Sequence, residues 1–123
     1  MLEARLGQRI QDKKKQLDAQ RPLSSAAVRR LNEQLTIEWI YNSNAIEGST
    51  LTLRETQLIL EQGITIGGKS LREHFEVINH QEAIKLVESL AVQPEPIKQF
   101  HVRQLNALVL AKIDDENAGR YRD

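Results

Sequence analysis

The chain has 123 residues, of which 40% are hydrophobic and 28% charged, and its 17 basic and 17 acidic side chains give zero formal net charge. This composition is typical of a folded domain rather than a disordered chain, and the charge balance argues against nucleic acid as a partner. The absence of cysteine excludes a disulfide framework and a thiolate metal site.

Membrane and metal binding are both disfavoured by the sequence. No apolar run approaches the roughly 18 residues that a bilayer span requires, and the N-terminus lacks the apolar stretch of a signal peptide. We therefore expect a cytoplasmic protein with no membrane partner. Among the three histidines, His74 and His80 are six residues apart, which places them about 240° apart around a helix, and His101 is distant in sequence. The pattern predicts no metal site.

The first predicted helix runs from Leu2 to about Ala19 and carries a sparse apolar stripe. Its charged run at 12–15 indicates a solvated helix face, with a docking patch as the alternative. Pro22 breaks the helical pattern. We accordingly predict an N-terminal helix in residues 1–22, followed by a second part in residues 23–123.

A long second helix is predicted from Ser25 to Ile46, with Ser24 or Ser25 as its N-cap. Its apolar stripe recurs every three or four residues and comprises Val28, Leu31, Leu35, Trp39, Asn42 and Ile46, widened by Ile37 and Ile40. Gly48 is expected to end this helix, because glycine readily adopts the left-handed conformation of a C-cap.

The third predicted helix runs from Leu53 to about Gln62. It is opened by a Thr-x-x-Glu capping box that starts at Thr52, and Gly63 ends it. The apolar pattern predicts that it buries Leu53, Leu60 and either Thr56 or Gln57.

Residues 63–69 are predicted to form a loop or an isolated strand. Together with Ser70 they fit the pattern Gly-x4-Gly-Lys-Ser of a phosphate-binding loop. Such a loop follows a buried strand, whereas the preceding segment is helical in pattern. A helix N-cap at Ser70 accounts for the same residues, and we favour it.

A fourth helix is predicted to start with the Ser70–Glu73 capping box, and a fifth to run from about Ile97 to Ile113 after the prolines of the intervening turn. The residues expected to be buried in the fourth helix are Leu71, Phe75, Ile78, Ala83 or Ile84, Val87 and Leu90. The sequence thus predicts an all-α fold, a bundle-like arrangement of four to five helices.

Ser43 and Glu47 are four residues apart and therefore share one face at the end of the second helix. A carboxylate at this end is disfavoured by the helix dipole, by about 0.3–1 kcal/mol. Such a local conflict suggests that Glu47 meets a cation, for which an arginine guanidinium is well suited. The alternative is an ordinary surface glutamate before the C-cap. The neighbouring asparagines, Asn42 and Asn44, are either exposed or line a cleft with Ser43.

The segment 43–53 reads SNAIEGSTLTL. It resembles the inhibitory helix of Fic proteins, whose motif is Ser or Thr, three further residues, Glu, and then Gly or Asn. Ser43, Glu47 and Gly48 match this motif. The resemblance implies that these three residues are regulatory, and that Glu47 pairs with an arginine of the Fic catalytic motif.

Further blocks follow in the order that the Fic family shows. The segment 68–83 (GKSLREHFEVINHQEA) is similar to a helix opening of the Fic core. The helix near Ile97 is similar to the next core helix, and the segment 118–122 (AGRYR) is similar to the run before the family's target-positioning hairpin. The resemblance covers about residues 34–122, so the expected fold is a partial Fic fold.

The catalytic signature of the family, His-Pro-Phe-x-(Asp/Glu)-Gly-Asn-Gly-Arg-x-x-Arg, is absent from residues 1–123. In the family its histidine is the general base, its glycine-rich loop holds the nucleotide phosphates, and its acidic residue binds Mg²⁺. We therefore expect a regulatory N-terminal fragment of a protein AMP-transferase, cut before the catalytic motif and inactive alone. ATP and Mg²⁺ are expected for the full-length parent only.

The alternative is a stand-alone, antitoxin-like inhibitor or interaction protein that acts on a separate Fic-domain partner. A protein target of the parent is implied by the family, and the apolar helix faces suggest a possible homo-oligomer. These remain expectations from the sequence.

Overall fold

The computed structural model describes residues 2–123, and within this range every regular element is a helix. The helices are α1 (Leu2–Asp18), α2 (Ser25–Ile46), α3 (Leu53–Gln62), α4 (Leu71–Ala91) and α5 (Gln99–Leu110). The all-α prediction is confirmed. None of these helices is both long and apolar enough to cross a lipid bilayer.

Internal contacts divide the described chain into two compact units that meet after Glu33, within α2. The first unit contains α1 and the start of α2, and all its described residues are exposed. Ser24 caps α2, since its Oγ accepts a hydrogen bond of 3.1 Å from the Ala27 N–H. The predicted division between residues 22 and 23 stays a prediction.

The second unit contains a small apolar core. Its fully buried centre is formed by Ile40 of α2 and Val77 of α4, whose side chains are 0% and 1% exposed. The other buried members of this cluster are Leu51, Ile59 and Ile84, and the half-buried Leu60 and Ile66 pack against it. Within this unit α4 contacts both α3 and α5. The core thus joins the end of α2 to the helices that follow it.

The capping boxes and helix-ending glycines predicted from the sequence are present in the structure. Thr52 and Ser70 each form a complete capping box with the glutamate three residues later. Gly48 and Gly63 adopt positive φ angles of 99° and 63°, a region in which glycine carries no Cβ penalty. Helices α2 and α3 therefore begin and end at the residues that the sequence predicts.

Several burial predictions are wrong. Leu53 of α3 is 42% exposed, and Leu71, Ile78 and Val87 of α4 are exposed as well. The buried residues of α4 are His74, Val77, Asn79, Ala83 and Ile84. Helix α4 has apolar residues on more than one face, so the apolar pattern does not determine which face packs inward. Val77 and Asn79, the neighbours of exposed Ile78, are both buried, and each lies about 100° from Ile78 around the helix, on opposite sides of it.

The last helix is shorter than the predicted range of 97–113. It runs from Gln99 to Leu110, and the backbone leaves the helical region at Ala111, whose φ and ψ are −54° and 130°. Lys112 follows with a φ of 62°. The buried Asn79 side chain donates from Nδ2 to the carbonyl oxygens of Val109 (3.2 Å) and Ala111 (2.7 Å). These bonds satisfy carbonyl groups that the end of α5 leaves without helical partners.

The favoured interpretation of residues 63–70, a helix N-cap at Ser70 and not a phosphate-binding loop, is confirmed. The segment follows helix α3 rather than a strand, and Ser70 is the N-cap of α4. Buried His74 holds this loop, because its Nε2 accepts from the Ile66 N–H (2.9 Å) while its Nδ1 lies 2.7 Å from the Ser70 carbonyl oxygen. These two contacts fit the tautomer with the hydrogen on Nδ1, in which Nε2 is the acceptor.

The substitution Ile40→Ala is expected to lower the free energy of unfolding by about 2–5 kcal/mol, because it leaves a cavity in the core. Ile46→Ala, six residues on in the same helix, is the matched control: Ile46 is 84% exposed, and its replacement should change stability by about 0.5 kcal/mol at most. Urea denaturation of the two variants measures both values. Equal losses would contradict the assigned core.

Candidate functional site

The motif residues lie together where α2 ends. Ser43 is half-buried in the last full turn, and Glu47 is exposed directly after the final helical residue, Ile46. Gly48 turns the chain away from the helix with its φ of 99°, and its N–H donates to the carbonyl oxygen of Ala45 at 3.1 Å. The carboxylate of Glu47 therefore projects from the C-terminal end of a helix, one turn beyond Ser43.

Glu47 has no ion-pair partner among the described residues. Among residues 2–123 the ion pairs join other carboxylates to lysine or arginine, and none of them includes Glu47. The negative end of the α2 helix dipole lies beside this carboxylate and disfavours an anion. A carboxylate in this position can accept charge-assisted hydrogen bonds from a cation such as a guanidinium group.

The three polar residues before Glu47 differ in their surroundings. Asn42 is exposed and donates from Nδ2 to the Glu38 carbonyl oxygen at 2.8 Å. Ser43 and Asn44 are half-buried. The Nδ2 atom of Asn44 is buried and has no hydrogen-bond partner within the described residues. Ser43 and Asn44 are thus partly shielded from solvent, whereas Asn42 is an ordinary exposed residue.

The turn after Glu47 is held by Thr50. Its backbone N–H and its hydroxyl both donate to Oε1 of Glu73, each at 2.7 Å. Lys69 Nζ donates in turn to the Thr50 carbonyl oxygen (2.8 Å) and to its Oγ1 (3.1 Å). These four hydrogen bonds, which we call the Thr50 clamp, join the exit of α2 to the entrance of α4. The clamp residues Thr50, Lys69 and Glu73 are separated by up to 23 positions in the sequence.

Glu73 has a second set of partners on its other oxygen. Its Oε2 accepts from the backbone N–H of Ser70 at 3.2 Å and from the Ser70 hydroxyl at 3.3 Å, as the third residue of the α4 capping box. The hydrogen bonds from the Thr50 hydroxyl and N–H, and then those from Ser70, lower the pKa of Glu73 from 4.5 to about 2. Glu73 is thus an anion that two chain segments share.

The opposite end of the same turn is fixed by Glu55. Its Oε2 accepts from the Thr52 N–H at 2.9 Å in the capping box of α3 and lies 4.0 Å from Lys69 Nζ. Both partners of this ion pair have about a quarter of their side chain exposed. The segment between Gly48 and α3 is consequently held on both sides, and it contributes the buried Leu51 to the core.

The sequence pattern singles out Ser43, Glu47 and Gly48, whose regulatory role stays a prediction, and it does not indicate the clamp. From the sequence, Ser70 and Glu73 fit a local helix cap, and Thr50 has no predicted contact. No local pattern in the sequence indicates a bond between positions 50 and 73. Among residues 2–123 no group of three or more His, Asp or Glu side chains is placed to hold a metal ion.

The chain is similar to known proteins over most of its length. The protein adenylyltransferase Fic of Nematostella vectensis is 38% identical over 102 residues, which are 82% of this chain and 24% of that protein. Fic-1 from C. elegans superposes with a TM-score of 0.80 at 31% identity, covering 98% of this chain and 36% of that one. A Fic-domain-containing signalling protein from Bacteroides thetaiotaomicron has a TM-score of 0.81 at 30% identity, with 93% and 44% covered. No family model matches the chain.

The long helix α2, the clamped turn and the helices packed after it define an all-α type of domain. Since sequence and structure relatives agree over this whole arrangement, the chain belongs to the Fic family. It spans 20–24% of the length of curated relatives such as those from Nematostella vectensis and Caenorhabditis elegans.

The lowered pKa of Glu73 gives a prediction for the folded chain. Because the folded-state pKa lies near 2 rather than 4.5, ionised Glu73 stabilises the fold above pH 4.5, and this stabilisation is lost as the pH falls toward 2. The Thr50 amide chemical shift should report this titration in ¹H–¹⁵N spectra. Thr50→Val should raise the pKa of Glu73, because it removes the hydroxyl that lowers it most. A midpoint near 4.5 in the unsubstituted chain would contradict the clamp.

Proposed function

We propose that this chain is the regulatory N-terminal part of a Fic-type protein adenylyltransferase, in which Glu47 is autoinhibitory. The complete enzyme would transfer AMP from ATP to a hydroxyl group of a target protein. The observation that carries the proposal is the exposed Glu47 carboxylate, which lies at the C-terminal end of α2 with no ion-pair partner among residues 2–123.

Inhibition follows from competition for one guanidinium group. In the proposed enzyme Glu47 pairs with the second arginine of the catalytic motif, which is thereby withdrawn from the γ-phosphate of ATP. A carboxylate and a guanidinium form two parallel, charge-assisted hydrogen bonds, and arginine suits this geometry better than lysine. ATP then still binds, but its α-phosphate is not aligned for in-line attack by the target hydroxyl.

The position of Glu47 strengthens this pairing. The carbonyl groups at the end of α2 raise the energy of the lone carboxylate and attract the incoming cation. Ser43, one turn earlier on the same face, would contact the same arginine or the nucleotide phosphates. The chemistry of AMP transfer, including ATP and Mg²⁺ binding, would belong to the catalytic motif and not to residues 2–123.

The gene sequence tests whether the regulatory and catalytic parts belong to one polypeptide. An in-frame His-Pro-Phe motif beyond codon 123 would support the regulatory part of one enzyme. A stop codon there would instead support the antitoxin-like alternative, in which the arginine belongs to a separate Fic-domain partner. The two solved Fic structures resemble 98% and 93% of this chain and are both longer than it, which favours the first interpretation.

In the full-length enzyme, Glu47→Gly should raise auto-AMPylation. Charge-assisted hydrogen bonds contribute about 1.5–3 kcal/mol, so their loss should increase the rate of AMP incorporation by roughly 10- to 150-fold. The measurement is incorporation of labelled AMP per enzyme over time. Glu61→Gly is the matched control, since Glu61 is likewise an exposed carboxylate near a helix C-terminus. Unchanged incorporation in Glu47→Gly would refute the proposal.

A further inference from the structure

We propose that Glu73 is a positioning residue for Glu47, and that the Thr50 clamp sets how strongly the enzyme is inhibited. This inference rests on the proposed function, because it concerns the regulation of the same site. It follows from the hydrogen bonds of Thr50, which lies three residues after Glu47 and is bound through both its N–H and its hydroxyl to the Glu73 carboxylate.

The backbone around Glu47 is restrained on one side by α2. Beyond the helix the Ser49 N–H still donates to the Asn44 carbonyl oxygen at 2.9 Å, which continues the helical restraint past Glu47. Gly48, with its φ of 99° and open space around its α-carbon, is the one position in this turn that has wide torsional freedom. Whatever fixes the chain just after Gly48 therefore determines the direction of the helix end.

Thr50 supplies that fixed point. It is tied to the first turn of α4, and the adjacent Leu51 is buried in the core at 4% exposure. Releasing the Thr50 hydroxyl and N–H from Glu73 would loosen the chain after Gly48 and leave only the two hydrogen bonds to Asn44 and Ala45 at the end of α2, so the Glu47 carboxylate would sample more directions. A bidentate pair with a guanidinium group requires one direction, so the pair would be weakened.

The two oxygens of Glu73 explain why a carboxylate is needed at this position. One oxygen accepts from Thr50 and the other accepts from Ser70. A glutamine has a single acceptor oxygen, so it can satisfy one of these partners and must turn an NH₂ group toward the donors of the other. Glu73→Gln preserves shape and helix preference but cannot hold both segments.

Thr50→Val provides an independent variant. Valine keeps the shape and the backbone N–H of threonine but removes the hydroxyl that bonds Glu73 and Lys69. It leaves the Ser70 capping box of α4 untouched. An effect shared by Thr50→Val and Glu73→Gln therefore arises from the clamp and not from the stability of α4.

The experiment measures auto-AMPylation of the full-length enzyme with labelled ATP. Glu73→Gln and Thr50→Val should each raise incorporation at least threefold, and Thr50→Ser, which retains the hydroxyl, should restore the low rate. In the Glu47→Gly background neither substitution should raise incorporation further, because no inhibitory carboxylate is left to position. Thermal unfolding midpoints measured in parallel separate this effect from a loss of folding.

Two controls define the outcome. Glu82→Gln makes the same chemical change at an exposed ion pair with Lys85 on α4 and should leave incorporation low. Ser70→Ala lowers the stability of α4 without touching Thr50, and should lower the unfolding midpoint without raising incorporation. If Ser70→Ala raises incorporation as much as Glu73→Gln, the clamp is only a source of stability and the inference fails.

The remaining outcomes distinguish this inference from the proposed function. If Glu47→Gly raises incorporation while Glu73→Gln and Thr50→Val do not, the proposed function stands and the positioning role is overturned. An added increase when either is combined with Glu47→Gly also overturns it. If Glu47→Gly has no effect, both proposals fail.

Discussion

The carboxylate of Glu73 serves two chain segments at once, and the arrangement of the turn that follows α2 depends on it. One carboxylate oxygen caps the N-terminus of α4 by accepting hydrogen bonds from Ser70. The other accepts hydrogen bonds from the N–H and the hydroxyl of Thr50. Because both sets of donors favour the ionised form, this shared group has a pKa of about 2. Glu73 therefore joins the exit of α2 to the entrance of α4, next to the buried Leu51, and Lys69 adds its own hydrogen bonds to Thr50.

Local chemistry made much of this fold predictable from sequence. Thr52 and Ser70 each meet their glutamate within three residues, and Gly48 and Gly63 need only their own backbone freedom, so the helix boundaries of α2 and α3 follow from neighbouring residues. The buried face of α4 did not, because several of its faces carry apolar side chains and only contacts with α3 and α5 select among them. Of the apolar residues expected inside, Ile78 is 44% exposed.

The candidate site shows the same division. Glu47 stands out in the sequence because a carboxylate is disfavoured at the C-terminal end of a helix. It also belongs to a short motif that includes Ser43 and Gly48. The clamp is not predictable from the sequence, because Thr50 and Glu73 are 23 residues apart. Glu73 is already accounted for by the capping box of α4, and Thr50 by its position in a turn. Relationships between distant positions require coordinates, whereas conflicts between a residue and its own helix are visible in the sequence.

The buried Nδ2 atom of Asn44 has a consequence for the stability of the helix end. It lies in the last turn of α2, is shielded from solvent and has no acceptor within residues 2–123. A buried donor without a partner lowers stability by about 1–3 kcal/mol. The last turn of α2, three residues before Glu47, is therefore less stable than its helical hydrogen bonds alone would make it.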